Sequence, residues 1–142
     1  EWLNEEIQQK HGIKTEFEDD GQPKPLDDDV CALLYRAVRE LLVNVIKHAN
    51  AQNVKVSICK EKNNICIKVI DDGTGFKSGI ENFTSNRVRG FGLFSIRERL
   101  NYLSGSIEID SKPSKGTRVT LVAPIKRKKN NCYEDKIWPQ KF

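Results

Sequence analysis

A chain of 142 residues with 37% hydrophobic and 31% charged side chains and a formal net charge of +4 has the size of one ordinary domain, enough to bury a core without disulfides or a structural metal. The positive excess is mild and partly concentrated in "KRKK" at residues 126–129, with no aromatic residues interleaved, so no nucleic acid partner is inferred. No apolar run approaches the roughly 20 residues of a membrane span and no signal peptide opens the chain, while the lack of any methionine predicts a piece of a longer protein.

The opening "EWLNEEIQQKHGI" sets Trp2, Leu3 and Ile7 at helical spacing, with Gly12 as a C-cap. "IKTEFED" then alternates as a strand, and "DGQPKPLDDD" is a turn leading into an acidic cap, Asp27 to Asp29, for the next helix. That helix is predicted from Val30 to about His48, with Val30, Leu34, Ala37, Leu41 and Val45 as one apolar stripe.

"NVKVSIC" and "NICIKVI" read as a β-hairpin joined by "KEKN". A tight turn at Lys62-Asn63 sets Cys59 against Cys66. With Cys31 and Cys132 these are the only cysteines; they form no CxxC pair and have no histidine at zinc-finger spacing. Buried cytosolic thiols are therefore expected rather than a metal site.

"DDGTGF" at residues 71–76 follows, and then residues 77–89, which lack a period and predict a mobile loop. A helix from Gly92 to about Ser104 carries Leu93, Ile96, Leu100 and Leu103 on one side, with Gly105 as a left-handed cap. "SIEIDS" and "TRVTLVAP" form a second hairpin around "KPSKG". The expected class is α/β: a two-layer sandwich whose mixed, mostly antiparallel sheet is covered on one face by helices.

Three polar groupings carry chemistry. Glu40, Asn44 and Lys47, at i, i+4 and i+7, form a polar edge on the rim of the apolar stripe. A carboxylate and a neutral carbonyl oxygen there suit a hydrated magnesium ion that bridges phosphates, and a solvated face with a Glu-to-Lys pair is the competing reading. Asp71 ends a buried strand and can accept a hydrogen bond from an exocyclic amine such as that of adenine, with Gly73 and Gly75 allowing close backbone approach; an ordinary Asx-type turn is the alternative, and Asp72 either faces solvent or steadies the turn. Gly90 and Gly92 precede a helix whose first amides can cradle phosphate, although neither a P-loop nor a dinucleotide fingerprint is present. Arg97 and Arg99 either reach phosphate or pair with Glu98 or Glu108. Thr117 either presents its hydroxyl to the pocket or is simply a strand former.

Taken in order, "ELLVNVIKHA", "DDGTGF", "GFGLFSIRERL" and "SKGTRVTLVAP" resemble the boxes of the GHKL superfamily of ATP-binding domains. This superfamily joins sensor histidine kinases, gyrase-type topoisomerases and mismatch-repair ATPases. The resemblance covers about residues 1–125, and the "RERL" helix is most similar to kinases of the nitrate-sensor and thermosensor type. It implies a Bergerat-type sandwich in which Asn44 ligates magnesium, Glu40 holds or polarises a metal-bound water, and Lys47 and His48 contact phosphates. It also implies that Asp71 reads the adenine amine and that Gly73, Gly75 and Thr117 line the base. Gly90 and Gly92 would hinge a lid over the phosphates, Leu93 would contact the nucleotide, and Phe94 departs from a third glycine common in relatives.

The implied activity is that of the ATP-binding catalytic domain of a two-component sensor histidine kinase, using ATP and magnesium. Its phosphoacceptor histidine would lie on a separate dimerisation domain, since neither His11 nor His48 suits that role, and a response regulator would be the onward partner. The isolated piece is expected to be a monomer, the full protein a homodimer, and this domain cytoplasmic whether or not the full protein is membrane-bound. An anti-sigma-factor serine kinase of the same fold and a non-catalytic interaction domain are the alternatives.

Overall fold

The computed structural model describes residues 2–76 and 90–126; the loop expected at 77–89 and the tail beyond Lys126 lie outside the described residues. The elements are α1 (Trp2–His11), β1 (Lys14–Asp19), α2 (Asp28–Asn44), a π-helical turn (Val45–Ala49), β2 (Asn53–Glu61), β3 (Asn64–Asp71), α3 (Gly90–Tyr102), β4 (Ser106–Ser111) and β5 (Thr117–Pro124). The five strands form one sheet in the order β1-β2-β3-β5-β4. β1 runs parallel to β2 and every other pairing is antiparallel, so the mixed, mostly antiparallel sheet expected from the sequence is the one observed.

Strand alternation decides the two faces of the sheet. Val54, Val56 and Ile58 on β2, Ile65, Ile67 and Val69 on β3, and Val119, Leu121 and Ala123 on β5 are all buried. Val56 faces Val69 and Ile58 faces Ile67 across β2 and β3, and Ile65, Ile67 and Val69 face Ala123, Leu121 and Val119 across β3 and β5, forming apolar rows against which α2 and α3 pack. α2 contributes Val30, Leu33, Leu34, Ala37, Val38, Leu41 and Leu42, a stripe wider than the five positions expected. From α3, Ile96 and Leu100 are buried, with Leu93 and Leu103 half-buried against the same core.

The hairpin turns tightly at Lys62, which sits at φ +55°, and Cys59 stands directly opposite Cys66, as the sequence predicts. Burial pushes the Cys66 thiol up to about 11.

Two helix ends reward closer inspection. α1 stops at Gly12 (φ +67°), whose amide donates to the Gln8 carbonyl. At the end of α3, however, the left-handed residue is Ser104 (φ +61°), not Gly105. The Gly105 amide donates to Leu100 and the Ser104 amide to Asn101, the paired bonds of a Schellman motif with serine in the left-handed position. Gly105 serves a different need, because a Cβ there would lie 2.5 Å from the Val122 carbonyl oxygen.

The link between β1 and α2 is anchored by a buried cation. Lys24 is 2% exposed and its ammonium donates to Asp19 Oδ1 at 2.9 Å, to Asp20 Oδ1 and to the Gln22 carbonyl. Asp20 also accepts the Lys60 amide at 2.7 Å, which ties the link to β2. Burial works against ionisation of both partners. Hydrogen bonds to Asp20 and Asp19 nonetheless raise the Lys24 pKa above its ordinary 10.5, and bonds from Lys24, Lys60 and Gln22 bring Asp20 down to about 2. The Asp20 contribution is therefore complete above 3.8 and lost as pH falls towards about 2; that of Lys24 is complete below 10.5 and lost above it. Lys24→Ala should cost about 3 kcal/mol, the low end for a broken buried pair because its carboxylates are partly wet. In urea unfolding, the gap between native and variant should narrow on acidification through that window, and a gap independent of pH would assign the loss to packing instead.

Candidate functional site

The apolar rows of the sheet end in polar residues. Continuing the inward series on β3 brings Asp71 after Val69; on β5, Thr117 precedes Val119; on β4, Ser111 follows Ile109. Register sets Asp71 opposite Thr117 and Thr117 opposite Ser111. A carboxylate and two hydroxyls thus line the helix-facing side at one end of the sheet.

Each of these groups is held by hydrogen bonds. Asp71, 7% exposed, accepts the Gly73 amide at 2.9 Å and the Thr117 amide. Burial raises its pKa above the ordinary 3.8 and the charge of Asp72 adds to this, while the two amides partly offset it. Ser111 is 2% exposed; its hydroxyl lies 2.8 Å from the Thr117 hydroxyl and 3.2 Å from the Gly116 carbonyl, and it accepts the Phe76 amide at 2.9 Å.

Three close backbone approaches enclose this end of the sheet. A Cβ on Gly73 would lie 2.1 Å from the Ala49 carbonyl oxygen, one on Gly75 2.1 Å from that of Lys112, and one on Gly116 2.1 Å from that of Asp71. The Thr74 amide donates to Ala49 at 2.7 Å and the Ser114 amide to Thr74 at 2.6 Å. The glycine box is therefore stitched to α2 on one side and to the β4–β5 turn on the other. Asp72 stabilises the junction rather than standing free: its carboxylate accepts the Gln52 and Asn53 amides, each at 2.9 Å, and the Asn53 side chain at 2.7 Å. Those bonds lower its pKa.

Ala49 reaches Gly73 because α2 does not continue as an α-helix to His48, as its apolar period suggests. It ends at Asn44 and passes into the π-helical turn, closed by Asn50 in the left-handed conformation (φ 48°, ψ 39°). Such a turn is wider, with a smaller angular step per residue. Glu40 and Asn44 lie one α-helical turn apart, both half-buried, whereas the exposed Lys47 and the half-buried His48 fall in the π-turn. Lys47 thereby leaves the helical edge on which i+7 spacing would set it.

α3 begins at Gly90, so Gly90 and Gly92 belong to its first turn rather than preceding it. A Cβ on Gly92 would lie 2.7 Å from Glu40 Oε1, which brings the second glycine box against the acid of α2. Leu93 turns into the core. Arg97 and Arg99 are exposed. Neither joins an ion pair among the described residues.

Residue-by-residue reading missed Ser111, Gly116 and Ala49. Ser111 had a usable signal, because it continues the inward alternation of Ile107 and Ile109.

Residues 30–127 match the family described as histidine kinase-, DNA gyrase B-, and HSP90-like ATPase. The chain belongs to this family. It is 34% identical over 120 residues to the oxygen sensor histidine kinase NreB of Staphylococcus carnosus (84% of this chain, 33% of that protein). It is 34% identical over 114 residues to the signal transduction histidine-protein kinase/phosphatase DegS of Brevibacillus brevis (80% and 28%). The chain thus spans about a third of the length of these curated relatives. Among solved structures, the catalytic domain of histidine kinase ThkA superposes with a TM-score of 0.72 at 19% identity (87% of this chain, 86% of that one). The Acinetobacter baumannii histidine kinase AdeS gives 0.71 at 18% (89% and 61%). These relatives and structural neighbours are all histidine kinases, and no helix among the described residues is long and apolar enough to cross a membrane.

In this ATPase domain burial and backbone hydrogen bonds make opposite demands on Asp71. With its pKa raised, the protonated group is the form that folding favours. Its contribution is complete below 3.8 and is lost as pH rises through the raised value. Asp71→Asn should stay within about 1 kcal/mol of native near neutral pH, since one amide loses its acceptor while a buried charge is relieved. The variant should gain on native as pH rises through that value in urea unfolding. Gly73→Ala should cost about 3 kcal/mol at any pH, because its clash is with backbone that cannot swing aside.

Proposed function

We propose that residues 1–125 are the ATP-binding catalytic domain of a two-component sensor histidine kinase, with residues 126–142 as a basic tail. The full protein would pass the γ-phosphoryl group of ATP to a histidine on a separate dimerisation domain, for relay to a response regulator. The observation that carries this reading is Asp71, a buried acid that ends an apolar row and is held by the Gly73 and Thr117 amides.

In this mechanism Asp71 accepts a hydrogen bond from the exocyclic amine of adenine. The Gly73 and Thr117 amides on the carboxylate fix its direction and favour the charged form that can only accept. The Ser111 hydroxyl orients Thr117, and the side-chain-free Gly73 and Gly75 let the box pack against the Ala49 and Lys112 carbonyls, which holds Asp71 in place.

The donor set of Glu40 and Asn44, hard oxygens one helical turn apart, fits a hydrated magnesium ion. Asn44 would hold the ion directly and Glu40 through a water. Magnesium bound there supplies charge neutralisation on the phosphates. Lys47 and His48 face the phosphates from the π-turn, and the amides of the first turn of α3, at Gly90 and Gly92, offer donors to anionic oxygen. With Gly92 packed on Glu40, a shift of the first turn of α3 would be felt at the acid that would hold the ion. Neither His11, exposed on α1, nor His48, in the π-turn, is assigned as phosphoacceptor. Transfer then needs the missing domain, and positioning rather than covalent chemistry supplies the rate.

Calorimetric titration with a non-hydrolysable ATP analogue tests this reading. Asp71→Asn should weaken binding by about 2–3 kcal/mol, the loss of a charge-assisted hydrogen bond together with an unpaired amine. Asn44→Ala should remove only the increment that magnesium adds. Unchanged affinity in the well-folded Asp71→Asn chain would overturn the proposed base pocket.

A further inference from the structure

The opposite face of the sheet carries a second cluster that the nucleotide site does not use. On β2, Cys59 and Glu61 are two residues apart and so project to the same side, and Cys66 on β3 stands directly opposite Cys59. One ligand atom from each, two sulfurs and a carboxylate oxygen, all lie within 4.8 Å of one another. Cys59 Sγ is 3.7 Å from Glu61 Oε1. Tetrahedral zinc, with Zn–S near 2.3 Å and Zn–O near 2.0–2.2 Å, separates its ligand atoms by roughly 3.5–3.8 Å, so only small rotamer adjustments close the set.

We propose that Cys59, Glu61 and Cys66 form a binding site for a soft divalent cation of the zinc class, with water in the fourth position. The two thiolates supply the softness that selects such an ion over magnesium, and each thiol releases its proton to solvent on binding. Both strands are pinned by a two-residue turn and a continuous ladder, so the ligands are preorganised and little ordering entropy is lost. Cys66 is buried, Cys59 half-buried and Glu61 exposed, which leaves an entry path from the Glu61 side. Among the described residues, the cation paired with Glu61 is Lys68, whose ammonium stands 3.8 Å from it in a loose, exposed pair. Such a pair is weak and yields readily to a divalent ion.

The site lies about 16 Å along β3 from Asp71, five residues at strand rise, and on the other face. A bound ion would therefore clamp the turn end of the central hairpin without touching nucleotide. The two sites can fail separately.

Anaerobic titration of the reduced 142-residue chain with Co2+, followed by displacement with Zn2+, tests the site. One equivalent of cobalt should give a thiolate-to-metal charge-transfer band that zinc abolishes, and zinc should raise the thermal midpoint while leaving affinity for the ATP analogue unchanged. Removing a supporting partner of a metal ligand costs about 10–100-fold, so loss of a ligand itself, in Cys59→Ser or Cys66→Ser, should cost about 100-fold or more and abolish the band. Because Cys66 is buried, the half-exposed Cys59→Ser is the decisive variant should Cys66→Ser fold poorly. Glu61→Gln should keep the band but weaken binding about 10-fold, and Lys68→Gln should strengthen it. Cys31→Ser with Cys132→Ser should change nothing. A band that survives Cys59→Ser, no band in the reduced native chain, or a Cys59–Cys66 disulfide as the sole reaction of the pair would each overturn the proposal.

Discussion

The backbone of Asp71 lies at a junction of chain segments with no room for a methyl group between them. Its own carbonyl is 2.1 Å from where a Cβ of Gly116 would be, and Gly73 presses on Ala49 just as closely. Everything else at the site follows from that contact. The glycine box can dock against the end of α2 only if the helix delivers the Ala49 carbonyl, and the β4–β5 turn can close only if Gly116 yields its side chain. The result is a buried acid whose two amide donors come from different segments, Gly73 in the box and Thr117 in the facing strand. Its direction is thus set by the sheet register rather than by a flexible loop.

Much of this was legible from residue patterns. Period-2 alternation in "NVKVSIC", "NICIKVI" and "TRVTLVAP" located the strands, and the two-residue turn at Lys62-Asn63 specified the Cys59–Cys66 register, because side-chain period makes a one-residue slip costly. The order of the four glycine and polar boxes pointed to the family before any geometry was known. What escaped was set by tertiary contact. A π-turn hides inside an uninterrupted helical period: Val45 stays in the core, so the apolar stripe carries no sign that the next turn is wider. Ser104 occupies the left-handed cap although a glycine follows it, because Gly105 is needed against Val122. Composition says only that one of the two residues turns the chain, and the neighbouring strand decides which.

The π-turn matters beyond bookkeeping of helix length. An α-helix continued to His48 would keep Lys47 on the edge of Glu40 and Asn44 and would aim the following carbonyls elsewhere. Widening the last turn separates two tasks along one element. The regular part of α2 presents hard oxygens at i and i+4, and the widened part supplies Ala49 as the platform for Gly73 and Thr74. Such π-turns are rare and recur at functional positions.

Stability and function are accordingly divided over the molecule. The helix-facing rows, the Schellman end of α3 and the Lys24 ion pair hold the fold, and none of them lies among the residues assigned to nucleotide. Asp71 stands apart from these: burial disfavours its charged form while two backbone amides favour it. An ionisable group in so apolar a row therefore costs stability, and under the proposed function its charged form would be the acceptor for the base. The Ser111–Thr117 hydroxyl pair has the same character, polar atoms at the ends of apolar strands that hold one another in place. Under the proposed function this end of the sheet would be a preorganised polar surface for a flat, amine-bearing partner rather than a frayed edge of the core.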